Sequence, residues 1–289
     1  MRAIRRRTAI LLAAACALAP PAIARDDVRD GFFVTSDGVR LHYLEAGPAG
    51  AHTIILVPGW TMPAWIWGPQ IAAFAQHYHV IAFDPRGQGL SAVPTQGYTP
   101  ERRGQDIAEL IARQTAAVLL VGWSLGVLDS LAYVHMHGDA ALAGLVLIDN
   151  SVGEAPAPVP AARPRRARRP VPHDVAMAGF VRGMFREPQT PAYLERLTDA
   201  TLQTPEWAAR ELLSYPVPRS YWRAAVYSTN RPVLYIVRPG LAAQAENLAR
   251  GRPNTETVVF TGVGHALFVD DPRRFDAIMT DFIRQRVWP

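Results

Sequence analysis

Short, continuous apolar segments recur along the chain, separated by stretches with the repeat of an amphipathic helix. The apolar segments cover residues 53–57, 79–83, 117–121, 145–148, 233–237 and 257–260, and the helical patterns include 106–116, 127–137 and 275–287. Apolar strands that alternate with helices are typical of a parallel sheet covered by helices on both faces. Residues 31–47 instead alternate in polarity around Asp37 and Gly38, which predicts an antiparallel hairpin. The fold class is therefore α/β, with a mostly parallel central sheet flanked by helices.

One segment interrupts this alternation. Residues 154–230 contain no comparable apolar strand; they open with a stretch rich in proline, alanine and arginine and continue with helical patterns. A chain of 289 residues suits one large domain that carries an insertion. We therefore predict a core formed by 25–153 and 231–289, with 154–230 as a helical insertion. The basic run 163–169 is expected to be a solvated loop rather than a binding patch.

The first 24 residues have the order of a secretory signal peptide. Arginines precede an apolar run at 9–19, and the small residues at 22 and 24 offer a cleavage site before Arg25. The apolar run is too short to cross a membrane comfortably and ends at two prolines. We expect cleavage after Ala24 and a periplasmic or secreted protein without a stable membrane span. Lipid anchoring through Cys16 is an alternative, and the sequence leaves the Sec and twin-arginine routes open.

The basic charge of the chain lies largely in this leader. The full sequence has a formal net charge of +5, and residues 1–24 hold four arginines and no acid, so their removal leaves +1. The charge therefore gives little support for a nucleic-acid partner, and none is expected. Cys16 is the only cysteine, so a chain cut after Ala24 has neither disulfides nor thiol chemistry.

The apolar run at 117–121 leads into the pentapeptide Gly122-Trp123-Ser124-Leu125-Gly126, which a helical pattern follows. A G-x-S-x-G sequence between a strand and a helix predicts a sharp turn that lifts the serine hydroxyl above the edge of the sheet. Glycine is needed on either side because larger side chains would collide with the neighbouring strand and helix. Ser124 is therefore the candidate nucleophile.

The order of the motifs resembles the α/β-hydrolase superfamily over nearly all of the expected mature chain. Pro58-Gly59-Trp60 follows the third strand, the stretch from Asp84 to Ser91 follows the fourth, the serine pentapeptide follows the fifth, and Gly262-Val263-Gly264-His265 follows the last. This resemblance implies the α/β-hydrolase fold with a helical cap at 154–230. We interpret the stretch from Asp84 to Ser91 as structural, with Arg86 bonding loop carbonyls.

His265 is the candidate general base. A serine hydroxyl becomes a good nucleophile when a neighbouring imidazole accepts its proton, and hydrolases of this fold carry serine, acid and histidine in that chain order. The developing oxyanion needs backbone N–H donors. Leu125, which follows the nucleophile, supplies one donor, and by resemblance Trp60 supplies the other. The family commonly has His-Gly where this chain has Pro58-Gly59, but Pro58 is not the donor.

The acid departs from the commonest pattern of the family. Many relatives carry an aspartate in the turn after the strand that follows the cap, whereas here residues 238–245 hold no carboxylate. Some relatives use the end of the strand before the cap, and Asp149 stands there. We favour Asp149, whose role would be to fix the histidine tautomer and stabilise the imidazolium. Glu246, Asp270 and the absence of any acid remain as alternatives.

These residues predict an exported serine hydrolase, a carboxylesterase that acts through an acyl-enzyme on a small apolar or aryl ester, with no metal or cofactor. The tryptophans Trp60, Trp65, Trp67 and Trp123 are candidates for an apolar entrance, with a place in the core as the alternative. A serine at the turn excludes dehalogenases and epoxide hydrolases, which use an aspartate there. A proline iminopeptidase-type aminopeptidase, a lactonase and a perhydrolase are alternatives, as is a non-catalytic binding protein of the same fold. The sequence does not determine the oligomeric state.

Overall fold

The computed structural model describes residues 27–158 and 171–289, and within them one eight-stranded sheet has the order β1-β2-β4-β3-β5-β6-β7-β8. The strands are β1 Arg29–Val34, β2 Arg40–Ala46, β3 Thr53–Val57, β4 His79–Asp84, β5 Val118–Trp123, β6 Leu142–Ile148, β7 Val233–Val237 and β8 Thr255–Val259. β2 pairs antiparallel with β1 and β4, and the five remaining pairs are parallel. The predicted fold class, a mostly parallel sheet flanked by helices, is confirmed. The expected leader, Cys16 and the run 163–169 lie outside the described residues.

The parallel strands bring their carboxyl ends to one edge of the sheet. Val57 of β3 pairs with Gly122 of β5, and Ile148 of β6 pairs with Trp123 on one side and Ile236 of β7 on the other. The loops that follow β3, β5, β6 and β7 therefore begin side by side. In open α/β sheets, ligands bind at this edge.

Helices cover both faces of the sheet. They are α1 Gly68–Phe74, α2 Pro100–Ile111, α3 Leu125–His137, α4 His173–Gly183, α5 Pro191–Leu202, α6 Glu206–Leu212, α7 Arg219–Ser228, α8 Ala242–Gly251, α9 Leu267–Asp270 and α10 Pro272–Phe282. Strand residues alternate between the two cores: Ile55 belongs to the core that contains α2, α3 and α8, whereas Ile54 belongs to the core that contains α1, α9 and α10. Both faces are apolar, which is why these strands read as continuous apolar runs.

Four helices, α4 to α7, lie between β6 and β7, in the segment predicted as an insertion. They do not share one packing partner. Trp222 and Val226 of α7 pack in the same core as α3, whereas Val181 of α4 and Leu197 of α5 belong to the opposite core. The bounds 154 and 230 for a cap stay a prediction.

Two helix boundaries differ from the sequence prediction. The pattern at 106–116 belongs to α2, which begins six residues earlier, at Pro100. The Thr99 hydroxyl accepts the Arg102 N–H, and a proline in the first turn favours helix initiation. The pattern at 275–287 is divided between α10 and a π-helical turn at Ile283–Val287.

No helix in residues 27–158 or 171–289 combines the length and the apolar character that a membrane crossing requires.

Candidate active site

Ser124 lies in the turn between β5 and α3 in a conformation that few non-glycine residues adopt. Its φ is 54° and its ψ is −118°, and such backbone strain costs on the order of 1–3 kcal/mol. The flanking glycines permit the turn. A Cβ at Gly122 would lie 2.3 Å from the Gly126 carbonyl oxygen, and a Cβ at Gly126 would lie 2.4 Å from the carbonyl oxygen of Val57. Any side chain at either glycine would therefore displace the backbone that presents the serine.

The structure brings Ser124, His265 and Asp149 together in one hydrogen-bonded chain. The Nε2 atom of His265 is 2.8 Å from Ser124 Oγ, and its Nδ1 atom is 2.6 Å from Asp149 Oδ2. A carboxylate at Nδ1 requires the proton on that nitrogen and leaves Nε2 to accept the serine proton. The arrangement is that of a nucleophile, a base and an acid.

Asp149 is held as an anion by three donors. Its Oδ1 accepts the backbone N–H of Arg238 at 3.0 Å, and its Oδ2 accepts both His265 Nδ1 and Arg238 Nε, the latter at 2.5 Å. Burial alone would raise the pKa of this carboxyl, but the bonds and charges of His265 and Arg238 together hold the pKa below its ordinary value. An ionised carboxylate beside the imidazole is what stabilises an imidazolium.

The two other candidate acids have different surroundings. Glu246 is exposed on α8. Asp270 accepts the N–H groups of Gly264 at 2.6 Å and Arg186 at 2.8 Å, and a longer one from Glu187 at 3.3 Å. Neither carboxylate bonds the His265 imidazole. Asp270 instead joins the histidine loop to the chain that follows α4.

Trp60 and Leu125, the expected oxyanion donors, flank the serine. A Cβ at Gly59 would lie 3.0 Å from Ser124 Cβ, so the loop after β3 packs directly against the turn and places Trp60 beside it. Leu125 is the first residue of α3, and its N–H has no acceptor within the helix. In the described part of the chain the Trp60 N–H likewise has no acceptor. Neither N–H group thus has a hydrogen-bond partner among the described residues.

Two polar side chains that the sequence analysis did not assign to the site support its backbone. Asn150 donates from Nδ2 to the Ser124 carbonyl oxygen at 2.8 Å. Gln88 accepts the Thr61 N–H at 2.7 Å and donates to the Gly59 carbonyl oxygen at 3.1 Å. Gln88 belongs to the motif interpreted as structural, and Asn150 directly follows the candidate acid.

The expectation that Arg86 of the Asp84 to Ser91 motif bonds loop carbonyls is wrong, because its guanidinium binds the carboxylates of Asp106 and Asp37 instead.

The candidate entrance tryptophans divide into two groups. Trp67 and Trp123 are buried in the core, where both contact Phe268, and the Trp123 indole donates to the His265 carbonyl oxygen at 2.9 Å. The expectation that these two line an entrance is therefore wrong, because their rings fill the space between the sheet and α9. Trp60 and Trp65 are partly exposed.

The Trp60 side chain joins the core to the inserted helices. Its indole N–H donates to the carbonyl oxygen of Ala209 in α6 at 2.7 Å, and its ring meets the Phe180 ring of α4 edge-on at 5.1 Å. One residue thus places its backbone at the serine and its side chain between two inserted helices.

Among the described residues, no group of three or more His, Cys, Asp and Glu side chains has an arrangement that could hold a metal ion.

A family model described as the alpha/beta hydrolase family matches residues 54–278. The fold and this match show that the chain belongs to the α/β hydrolase family, as the motif order predicted.

Curated relatives match over a part of the chain. A non-heme chloroperoxidase from Streptomyces lividans is 32% identical over 120 residues, which are 41% of this chain and 44% of the relative. An N-formylmaleamate deformylase from Pseudomonas putida is 35% identical over 121 residues, with the same two shares. The matched stretch thus spans less than half of each relative.

Solved structures match over most of the chain. A candidate aryl esterase from Burkholderia cenocepacia has a TM-score of 0.76 and 26% identity, covering 89% of this chain and 98% of that chain. An esterase from Rhodococcus has a TM-score of 0.73 at 24% identity, covering 90% and 99%. At that identity the second likeness shows the fold alone.

Proposed function

We propose that this protein is a serine hydrolase, a carboxylesterase that cleaves a small apolar or aryl ester through an acyl-enzyme. The observation that carries the proposal is the unbroken hydrogen-bonded chain from Ser124 through His265 to Asp149. Similarity to hydrolases and to a candidate aryl esterase supports the same class.

In the acylation step, Ser124 Oγ attacks the ester carbonyl carbon while its proton passes to His265 Nε2. The tetrahedral intermediate then collapses, the bond to the alcohol oxygen breaks, and His265 returns the proton to that oxygen. Water attacks the acyl-enzyme by the same route, which releases the carboxylic acid and restores the serine. Asp149 keeps the imidazole oriented and offsets its positive charge in both steps.

The N–H groups of Trp60 and Leu125 would bind the oxygen that becomes negative in each tetrahedral intermediate. The start of α3 adds the partial positive charge of a helix N-terminus at the same place. Donors fixed by the backbone need no rearrangement as the charge develops, and loss of one such donor lowers kcat by about 10²–10³ in related chemistry.

The apolar substrate class is supported by the side chains around the oxyanion loop. Trp60, whose loop packs against the serine turn, forms a partly exposed aromatic pair with Phe180. An acyl or aryl group would meet these aromatic rings on this side.

The decisive test uses Ser124→Ala, with Ser214→Ala as the matched control because Ser214 is exposed and distant in sequence from the site. We expect the wild type and the control to hydrolyse p-nitrophenyl esters and to take one fluorophosphonate adduct, and Ser124→Ala to do neither while keeping its circular dichroism spectrum. Turnover near the wild-type level in a folded Ser124→Ala protein would exclude this nucleophile. Lack of any labelling of the wild type would favour a binding protein.

A second candidate is perhydrolysis, in which hydrogen peroxide replaces water in the attack on the same acyl-enzyme. Similarity to a non-heme chloroperoxidase and to a bifunctional esterase/perhydrolase from Acinetobacter calcoaceticus favours it. We expect the peracid yield from an ester plus peroxide to separate the two functions, because an esterase alone gives only the acid.

The proposed location is the periplasm or the exterior, after cleavage of residues 1–24. Intact-mass analysis of the exported protein should give a chain that begins at Arg25. A lipid on Cys16 or a retained leader would contradict this.

A further inference from the structure

Arg238 stands directly after β7, where many members of the family carry the acid, and here it binds the acid of the neighbouring strand instead. Its backbone N–H and its Nε reach the two oxygens of Asp149. We propose that Arg238 is a positioning residue: it fixes the carboxylate that orients His265 and moderates its negative charge. The proposal rests on the proposed function, since it concerns the same catalytic chain.

The backbone geometry shows how the two strand ends share this carboxylate. The Asp149 N–H donates to the Ile236 carbonyl oxygen at 2.8 Å, as in a continuing parallel ladder. Asp149 then turns away with a φ of 52°. Its side-chain Oδ1 accepts the next N–H of the neighbouring strand, that of Arg238. The acid therefore occupies a ladder position and cannot rotate without breaking this bond.

The guanidinium fixes the second oxygen. Arg238 Nε and His265 Nδ1 both donate to Asp149 Oδ2, at 2.5 and 2.6 Å. A carboxylate with donors on both oxygens has one orientation, and that orientation directs Oδ2 at the imidazole. The Arg238 side chain is 42% exposed, so solvent screens part of its charge.

The other titratable groups near the Ser124–His265–Asp149 hydrogen bonds have partners of their own. Tyr235 of β7 donates its hydroxyl to the Asn150 carbonyl oxygen. Glu154 is bound by an arginine and a tyrosine of α7, and Asp270 of α9 accepts backbone N–H groups. Among the described residues, Arg238 is the one arginine that hydrogen-bonds Asp149.

The positive charge of Arg238 beside the Asp149 carboxylate affects the pH dependence of kcat/KM. It weakens the attraction of the Asp149 carboxylate for the imidazolium that forms when His265 accepts the serine proton. Removal of the cation favours the imidazolium. The acidic limb of kcat/KM, which reports ionisation of the free enzyme, then moves to higher pH.

The test compares Arg238→Gln, which removes the charge and the Nε donor, with Arg238→Lys, which keeps the charge. Arg250→Gln, on the exposed side of α8, is the control with the same change in net charge. We expect Arg238→Gln to lower kcat about tenfold, to leave KM within about twofold, and to raise the acidic limb. The Arg238→Lys variant should keep the acidic limb of kcat/KM near that of the wild type. The Arg250→Gln control should leave kcat, KM and the acidic limb unchanged.

A second measurement does not depend on turnover. The proton on His265 Nδ1 should give a low-field NMR resonance, which Ser124→Ala leaves in place and Arg238→Gln shifts or abolishes. An unchanged resonance, or an unchanged limb and kcat in folded Arg238→Gln, would overturn the proposal, as would a change in KM alone. If the wild type is inactive and does not react with fluorophosphonate, the proposed function fails, and the resonance still decides whether Arg238 positions the acid.

Discussion

Replacement of Asp149 by asparagine tests the acid most directly. Asparagine keeps the shape of the side chain but offers one acceptor oxygen where the site has donors for two. If the amide oxygen faces His265, the NH₂ group faces the backbone N–H of Arg238, and two donors oppose each other. If the NH₂ group faces His265 Nδ1 instead, it favours the tautomer whose Nε2 cannot accept the serine proton.

The size of the effect follows from these contacts. Losing a hydrogen bond between charged groups costs about 1.5–3 kcal/mol, and opposing two buried donors costs about 1–3 kcal/mol. If this free energy is lost from the stabilisation of the transition state, each ~1.4 kcal/mol lowers kcat tenfold. The expected decrease in kcat is therefore about 10²–10⁴.

The assay measures p-nitrophenyl ester hydrolysis by Asp149→Asn beside Glu246→Gln, whose side chain is exposed on α8. The control should change kcat by less than about tenfold, and circular dichroism should show both variants folded. A folded Asp149→Asn enzyme with full activity beside an inactive, folded Glu246→Gln enzyme would refute the assignment.

Three further predictions concern the surroundings of the site. Trp60→Phe, which loses the hydrogen bond to the Ala209 carbonyl, should lower kcat and still take one fluorophosphonate adduct. Unchanged kinetics would show that the indole hydrogen bond does not contribute to catalysis. Asp270→Asn, which weakens the anchoring of the His265 loop, should slow fluorophosphonate labelling, and wild-type labelling rates would contradict this. Burial raises the pKa of Asp276 to about 6. The charged carboxylate therefore destabilises the folded state fully above pH 6, and the cost disappears below the ordinary pKa of an aspartate, where the group is protonated in both states. Asp276→Asn should therefore raise the free energy of urea unfolding by about 1–2 kcal/mol at pH 7 and by almost nothing at pH 4; an equal gain at both pH values would point to another cause.

The serine, the histidine and the strand-end aspartate could be predicted because each lies at a fixed place relative to a local pattern. A glycine-flanked turn or a polar residue directly after an apolar strand can be recognised within a few residues. Parallel pairing then brings those strand ends together. The sequence also showed that the place after β7 lacks a carboxylate.

The contacts of Arg238, Asn150 and the Trp60 indole could not be predicted, because each depends on a side-chain conformation and on a partner from another segment. Ala209, which accepts the Trp60 indole N–H, is 149 residues away along the chain. The packing of α7 against α3 was missed for a similar reason. An apolar helix face indicates burial but does not identify the surface that buries it.

The inserted segment contacts two loops of the candidate site. Trp60 connects α4 and α6 to the loop after β3, while Asp270 connects the chain after α4 to the histidine loop. The insertion is therefore difficult to exchange for the corresponding segment of another protein. A chimera that replaces residues 171–230 with the lid of another hydrolase would need to supply a carbonyl for the indole and free N–H groups for Asp270, or repack Trp60 and the loop before Gly264. Directed evolution of selectivity should therefore begin with substitutions in α4 and α6 at positions other than Phe180 and Ala209, which leave these attachment points in place.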